Sequence, residues 1–261
     1  MSLLKHELRQ GRTAFFIWTG AIAVLLVLCI FLFPEMKEEM GEIGQMFSNM
    51  GAFSAAFGMD RLNFGTFIGY YAIECGNVLG LGGAFFAALC AVESLSKEER
   101  MGTAEFLLTH PVSRRQVVRE KLLSVLLRIT ALNLVCYALV LLSAMLIKET
   151  IPWKEINLLH LAYFIMQLEI AAICFGLSAF MRKGAAGAGL GVAVLAYMLN
   201  IIANLTKSVE FLKNLTPFGY CDGAEIVSQG RLFPGRMGIG LLLATVCLAA
   251  AYWQYGRKDI R

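Results

Sequence analysis

Six long apolar runs divide the 261-residue chain, and the most highly charged segment lies between the second and the third. The apolar runs occupy residues 13–33, 67–92, 122–147, 156–180, 185–205 and 237–255. Each holds close to, or more than, the roughly 20 apolar residues that a helix needs to cross a bilayer core. The pattern predicts an all-α membrane protein with six transmembrane helices in a single transmembrane domain, residues 1–261.

Two of the six runs are rich in small residues. The second contains GNVLGLGG, and we expect the helix to tilt or kink there. The fifth begins with GAAGAGLG, which favours a close helix–helix interface over a surface that faces lipid.

The basic residues outside the runs indicate the orientation of the chain. Of the 23 Lys and Arg residues, 14 fall on the side of both termini and 8 on the other, with Arg128 inside the third run. Cytoplasmic segments are enriched in Lys and Arg. We therefore expect cytoplasmic N- and C-termini in a multi-pass protein of the cell membrane, in a bacterium.

The first twelve residues predict a short interfacial helix. Leu3, Leu4 and Leu8 share one helical face, and the charged residues fall elsewhere. A helix of this kind lies on the inner leaflet. The alternative is an ordered basic tail.

The composition excludes a large soluble domain. Charged residues make up 16% of the chain, against about 25% in soluble domains, and the mean hydropathy is +0.66. The seven cysteines form no CxxC pair and the three histidines have no metal-ligand spacing. We expect no catalytic, cofactor or metal site in this chain, and no nucleic-acid partner.

The charged segment at 93–121 reads ESLSKEERMGTAEFLLTHPVSRRQVVREK. Gly102 can end a helix that continues from the second run, because glycine tolerates a left-handed cap. Thr103 can then cap a new short helix, AEFLLT, which Pro111 stops. The segment therefore predicts a helix, a break, a short transverse helix, a second break and another helix.

Ser113 and Gln116 have the spacing of a capping box, which would begin the helix into the third run. The short helix before them carries an apolar surface with a charged edge, formed by Glu105, Phe106, Leu107 and Leu108. Such a helix either docks in a groove of a cytoplasmic partner or lies on the inner leaflet. In the second case, the basic residues that follow it, Lys121 included, would touch anionic lipid.

The run EERMGTAEFLLTHPVSRRQVVREKLL resembles the cytoplasmic signature of ABC-2-type permeases, the membrane subunits of ATP-driven exporters. The matching positions are Glu99, Gly102, Thr103, Glu105, Leu107, Leu108, Pro111, Val112, Ser113, Arg114 and Lys121. Weaker similarity covers LKNLTPFGYCDGAEIVSQGR and the C-terminal WQYGRKDIR, where Lys258 stands at a position in which Arg is commoner. The resemblance extends over essentially the whole chain.

The resemblance implies a permease that pairs with itself or with a related permease and docks two separate ATP-binding subunits. It implies that the short helix after Thr103 is a coupling helix. The residues expected to couple the ATPase are Glu99, Arg100, Gly102, Thr103, Glu105, Phe106, Leu107, Leu108, Pro111, Ser113 and Arg114. The chain has no GxxxxGK[ST] loop, so we expect ATP and Mg²⁺ only in the partner subunit and no enzyme activity in this chain.

Polar residues inside the runs are candidates for a translocation path. Glu169 lies near the middle of the fourth run beside Gln167, where a charge costs at least about 2.5–3.5 kcal/mol on insertion scales. These two residues and Asn200 are candidate contacts for cargo, and hydrogen bonds between helices are the alternative. Arg128 is expected to snorkel to the near membrane surface.

The segment 206–236 is too long and too patterned for a simple tether. Its apolar residues have helical spacing before Pro217 interrupts them. We expect short external helices that precede the last transmembrane helix.

The sequence leaves several functions open. Export of an apolar or amphipathic cargo, such as a drug or an antimicrobial peptide, is the leading hypothesis, and extrusion of sodium is the second. A non-transporting membrane partner that regulates a signalling or biogenesis protein would use the same coupling elements. An intramembrane enzyme built on Glu169 and His160 lacks a nucleophile and a base at usable spacing. The sequence does not decide the cargo or the choice between homodimer and heterodimer.

Overall fold

The structure is a computed structural model that describes residues 2–49, 51–59, 61–103, 112–181, 185–205 and 207–257. Over these residues it is helical, and six helices are long and apolar enough to cross a membrane, as the sequence predicts. The α-helices are α1 (Ser2–Gln10), α2 (Arg12–Asn49), α3 (Ala52–Phe57), α4 (Phe67–Tyr70), α5 (Gly76–Val92), α6 (Lys97–Met101), α7 (Arg114–Leu146), α8 (Trp153–Phe180), α9 (Ala185–Leu205), α10 (Gly223–Gln229) and α11 (Pro234–Arg257).

Several long helices extend beyond the apolar runs that predict them. Helix α2 continues past residue 33 to Asn49 and contains Pro34. Helix α7 begins at Arg114, eight residues before the apolar run that starts at 122, because Ser113 caps it there. The start of α7 agrees with the predicted cap at Ser113, and each apolar run marks the part of a helix that suits a bilayer core and not the helix terminus.

The second membrane-spanning segment is irregular, although not where the glycines predict a kink. A π-helical turn, Tyr71–Cys75, separates α4 from α5 and precedes the glycine-rich stretch. Within that stretch the glycines allow close approach instead. A Cβ atom at Gly83 would overlap the side-chain amide of Gln167 from α8.

Helices α5 and α8 form the centre of the bundle. They are mostly buried and contact each other extensively, and α8 also packs along α11. The other four long helices expose large apolar side chains that suit a lipid or protein environment, for example Phe16, Leu134, Leu195 and Leu242. In the small-residue stretch of α9, only Gly189 packs closely on α5, while Gly187 and Gly191 face open space.

Short helices precede α11, as the sequence predicts. They are two 3₁₀ helices, Lys207–Asn214 and Pro217–Tyr220, followed by α10. Asp222 caps α10 by accepting hydrogen bonds from the backbone N–H groups of Ala224 and Glu225.

The first and the last described helices both contact the start of α7, at one end of the bundle. The backbone N–H of Leu4 donates to the Glu120 carboxylate near the start of α7. The Arg114 guanidinium reaches the carbonyl of Gly256 at the end of α11, at 3.3 Å. We call this region the termini end: α1, α6, the first turns of α7 and the last turn of α11.

The contact between α8 and α11 generates a stability prediction. A Cβ atom at Gly176 would lie 2.9 Å from both the Cβ and the carbonyl oxygen of Cys247. We expect Gly176→Val to lower the free energy of unfolding by about 1–3 kcal/mol, because overpacking pushes the helices apart. Denaturant titration in detergent micelles measures the change.

The matched control is Gly191→Val in α9, which carries the same helix-propensity cost but has open space around the new side chain. Equal losses for the two variants would contradict a tight α8–α11 contact.

Candidate functional site

The termini end contains a buried cluster of four charged side chains that belong to three helices. The four-charge cluster consists of Glu7 from α1, Lys97 and Glu98 from α6, and Lys121 from α7. Its two ammonium groups and two carboxylates balance in formal charge. The cluster therefore joins the N-terminal helix to the third span and to the start of the predicted coupling segment.

Lys121 is the centre of the cluster. Its side chain is fully buried, and an unpaired ammonium ion would cost several kcal/mol there. The Nζ atom lies 3.1 Å from Glu7 Oε1 and 2.7 Å from the carbonyl oxygen of Ser94, and it also donates to Glu98. These three acceptors satisfy the three N–H donors of the ammonium group.

Lys97 completes the cluster from α6. It donates to the second carboxylate oxygen of Glu7 and, at 2.8 Å, to the side chain of Gln10. Burial raises the pKa of Glu7, but Lys121 and Lys97 outweigh it, so the pKa is lowered overall. Burial and the nearby charge of Lys121 lower the pKa of Lys97, although Glu7 opposes them. Glu7 is therefore ionised at neutral pH and holds both lysines.

Local structure fixes α6 against the bundle. After α5 ends at Val92, the backbone N–H of Leu95 donates to Ser178 Oγ of α8 at 2.8 Å. Gly102 then ends α6 in the left-handed conformation, with φ 68° and ψ 21°. The predicted left-handed cap is confirmed, but the helix that it ends is the separate α6 and not a continuation of α5.

Arg100 and Glu99, two of the predicted coupling residues, lie on α6. Arg100 forms a two-point ion pair with Glu93, with N···O distances of 2.6 and 3.3 Å. The carbonyl of Glu99 accepts a hydrogen bond from Gly102, and its side chain is half-buried. Both residues therefore lie directly beside the four-charge cluster.

Ser113 and Arg114 open α7. Ser113 accepts a hydrogen bond from the backbone N–H of Gln116 at 3.2 Å, which confirms it as the N-cap. The reciprocal half of the predicted capping box is absent here, because the Gln116 side chain donates to Glu120 instead. The Arg114 guanidinium donates to the carbonyl of Gly256, so the start of α7 is held by its own cap and by the end of α11.

The central part of the predicted coupling helix lies outside the described residues. This applies to Glu105, Phe106, Leu107, Leu108 and Pro111, and the capping role of Thr103 stays a prediction with them. The described chain is fixed on both sides of this segment. Lys97 and Glu98 precede it, Lys121 follows it, and all three belong to the four-charge cluster.

The sequence prediction missed the role of Glu7. It placed the charged residues of α1 away from the apolar face, whereas Glu7 is 3% exposed and faces the bundle. A signal was present, because Leu3, Glu7 and Gln10 have the three- and four-residue spacing of one helical face. Lys121, expected at anionic lipid in one alternative, is buried by protein.

The structure separates the residues of the predicted translocation path. Gln167 joins three helices: its oxygen accepts from Asn133 at 2.7 Å and its nitrogen donates to the carbonyl of Leu79 at 3.3 Å. Gln167 thus forms hydrogen bonds between helices, which was the alternative to a contact with cargo. Its hydrogen bonds hold α5, α7 and α8 together.

Glu169 is fully buried on another side of α8. A Cβ atom at Gly240 of α11 would overlap its carboxylate, so the two helices meet there closely. The Tyr220 hydroxyl is the donor that interacts with this carboxylate, although the two do not form a hydrogen bond of good geometry. His160, nine residues earlier, lies about 13 Å away along the helix and hydrogen-bonds Tyr71, so the two do not form a catalytic pair.

Asn200 lies in a separate small cavity of about 60 Å³. Asn77 and Asn204 share this cavity with Tyr163 and Tyr197, and neither Gln167 nor Glu169 lines it. Over the described parts of the chain, no three His, Cys, Asp or Glu side chains cluster as metal ligands.

The six long apolar helices define a multi-pass α-helical membrane protein. Residues 1–260 match the family described as ABC-2 family transporter protein, and the chain belongs to that family. A search of curated proteins found no match. As an ABC-2 permease it lacks an ATPase domain and is not itself an enzyme, and the family implies ATP-binding partner subunits.

The four-charge cluster generates a charge-balance prediction. Lys121→Met leaves two buried carboxylates with one ammonium group, and we expect the free energy of unfolding to fall by about 3–5 kcal/mol. Adding Glu98→Gln restores the balance between Glu7 and Lys97 and should recover part of the loss. A double-mutant cycle in detergent micelles measures this coupling.

Lys5→Met is the matched control, because Lys5 is an exposed lysine of the same end and should change stability little. Additive effects of the Lys121 and Glu98 substitutions would contradict the cluster.

Proposed function

We propose that this chain is the transmembrane subunit of an ABC exporter, in which two permeases form the membrane part and dock two ATP-binding subunits. The proposal places the docking surface at residues 104–111, in the cytoplasm, and ATP and Mg²⁺ in the partner subunits. The membrane is the cell membrane of a bacterium.

The four-charge cluster is the observation that carries this proposal. Movement of the 104–111 segment must pull on α6 at one side and on α7 at the other. Lys121 and Glu7 connect both helices to α1, so a push from an ATPase would move α1, α6 and the base of the third span together. Such a unit suits a change between two states of the membrane part.

The cargo that we propose is apolar or amphipathic. The polar residues in the spans are engaged or enclosed: Gln167 holds neighbouring helices, and Glu169 is sealed between α8 and α11. The exposed faces of α2, α7, α9 and α11 are lined with large apolar side chains. Two such permeases would enclose a path with apolar walls.

Sodium extrusion is the second candidate, and the small asparagine-lined cavity is the observation that favours it. The side-chain oxygens of Asn200 and Asn204 are buried and have no hydrogen-bond donor among the described residues. Amide oxygens are suitable ligands for a hard cation. Asn200→Ala would abolish ATP-dependent sodium movement in vesicles if this candidate holds, and would leave export of an apolar dye unchanged if it does not.

The docking experiment tests the proposed function directly. We expect the ATP-binding subunit to copurify with the native chain and to be lost from the double variant Glu105→Lys, Leu108→Asp, because the substitutions reverse the charged edge and break the apolar surface. Purification from cells that coexpress the neighbouring genes, followed by ATPase assay, measures both effects.

The control variant is Arg119→Gln, an exposed change on the same side of the protein that should keep the partner. Retention of the ATPase by the double variant would contradict docking at residues 104–111. A complex that hydrolyses ATP but moves no tested cargo would favour the regulatory, non-transporting alternative.

A further inference from the structure

A second cavity, of about 330 Å³, lies at the termini end next to the four-charge cluster. It is bordered by α1, the start of α2, the last turns of α5, and α6. Its walls change in character with depth. Charged residues of α1 and α6 form the rim at the termini end, and the deeper wall is apolar, with Trp18, Phe86 and Leu89.

The charged rim is balanced except at one residue. Lys97 pairs with Glu7, and Arg100 pairs with Glu93. Arg128 also lines the cavity, but no carboxylate among the described residues lies within ion-pair distance of it. Counting only the part of the chain that the structure describes, the cavity therefore carries one cation without a counter-charge.

The Arg128 side chain turns back towards the start of α7, as snorkelling predicts. Its Nε donates to the carbonyl of Ser124 at 3.2 Å, and Nη2 donates to Ser124 Oγ at 3.0 Å. A guanidinium group has five N–H donors, so three stay available for an acceptor in the cavity.

Gly11 makes room for this guanidinium group. It forms the break between α1 and α2, and a Cβ atom there would overlap Nη1 of Arg128. The glycine therefore lies where the end of α1 meets the Arg128 guanidinium. Trp18 follows two turns further along α2.

We propose that this cavity binds an anionic phospholipid from the leaflet at the termini end, with its phosphate on Arg128 and its acyl chains along Trp18 and Leu89. Phosphate oxygens would accept hydrogen bonds from the free N–H groups of the guanidinium. The planar guanidinium group can donate two parallel hydrogen bonds to one phosphate. The charged rim suits the headgroup of a phospholipid, and the apolar wall suits its acyl chains. A bound lipid would brace α1 against α5 and the third span.

The experiment uses Trp18 as a reporter in the full chain. The other two tryptophans are replaced by Trp153→Phe and Trp253→Phe, and the protein is reconstituted in bilayers with brominated lipids that quench tryptophan fluorescence. We expect brominated phosphatidylglycerol to compete for the site about fivefold better than brominated phosphatidylcholine, as one basic residue near the surface would give.

Arg128→Gln should reduce this preference to about that of bulk lipid, and Arg128→Lys should keep most of it because it keeps the charge. Arg119→Gln is the matched control: it removes an exposed arginine of the same helix outside the cavity and should leave the preference unchanged. Quenching by phosphatidylcholine in every variant shows that the helix around Trp18 is still folded in the bilayer.

Three outcomes would overturn the proposal. The first is a native chain with no preference for phosphatidylglycerol, and the second is a preference that persists in Arg128→Gln. The third is loss of the preference when inorganic phosphate replaces chloride at equal ionic strength, which would indicate a site for free anions and not for lipid.

Discussion

The buried ammonium group of Lys121 is the constraint on which the termini end of this protein depends. A lysine in this position is tolerated only if all three of its donors find acceptors. Those acceptors come from α1, from α6 and from the turn between α5 and α6. Since the acceptors lie on separate elements, satisfying one side chain fixes the N-terminal helix, the segment before residues 104–111 and the third span relative to one another.

Contacts in the rest of the bundle hold the turn between α5 and α6 in place. Helices α5 and α8 form a close-packed centre, in which Gly83 and Gly176 allow neighbouring helices to approach. Ser178 of α8 holds the backbone of Leu95, so the turn that carries Ser94 is fixed to the centre. A force applied between Thr103 and Val112 would then act on helices that are anchored to this centre.

Much of the fold could be predicted from the sequence, because a bilayer imposes a length and a composition on each span. The caps at Gly102 and Ser113 could be predicted as well, since both depend on local backbone geometry. The burial of Glu7 and Lys121 could not. It depends on two residues 114 positions apart meeting at a helix crossing, and neither residue type indicates burial by itself. The separation of Gln167 from Glu169, in contrast, could be predicted, because residues two positions apart on a helix point about 200° away from each other.

The most direct test of the account is hydrogen exchange in α1 of the purified permease–ATPase complex, measured with and without an ATP analogue. The variant is Glu7→Gln with Lys97→Met, which removes one ion pair and leaves Lys121 balanced by Glu98. The account predicts that ATP changes exchange in residues 2–10 of the native chain, and that the variant keeps its ATPase but loses this response. An unchanged ATP response in the variant would contradict transmission through the four-charge cluster.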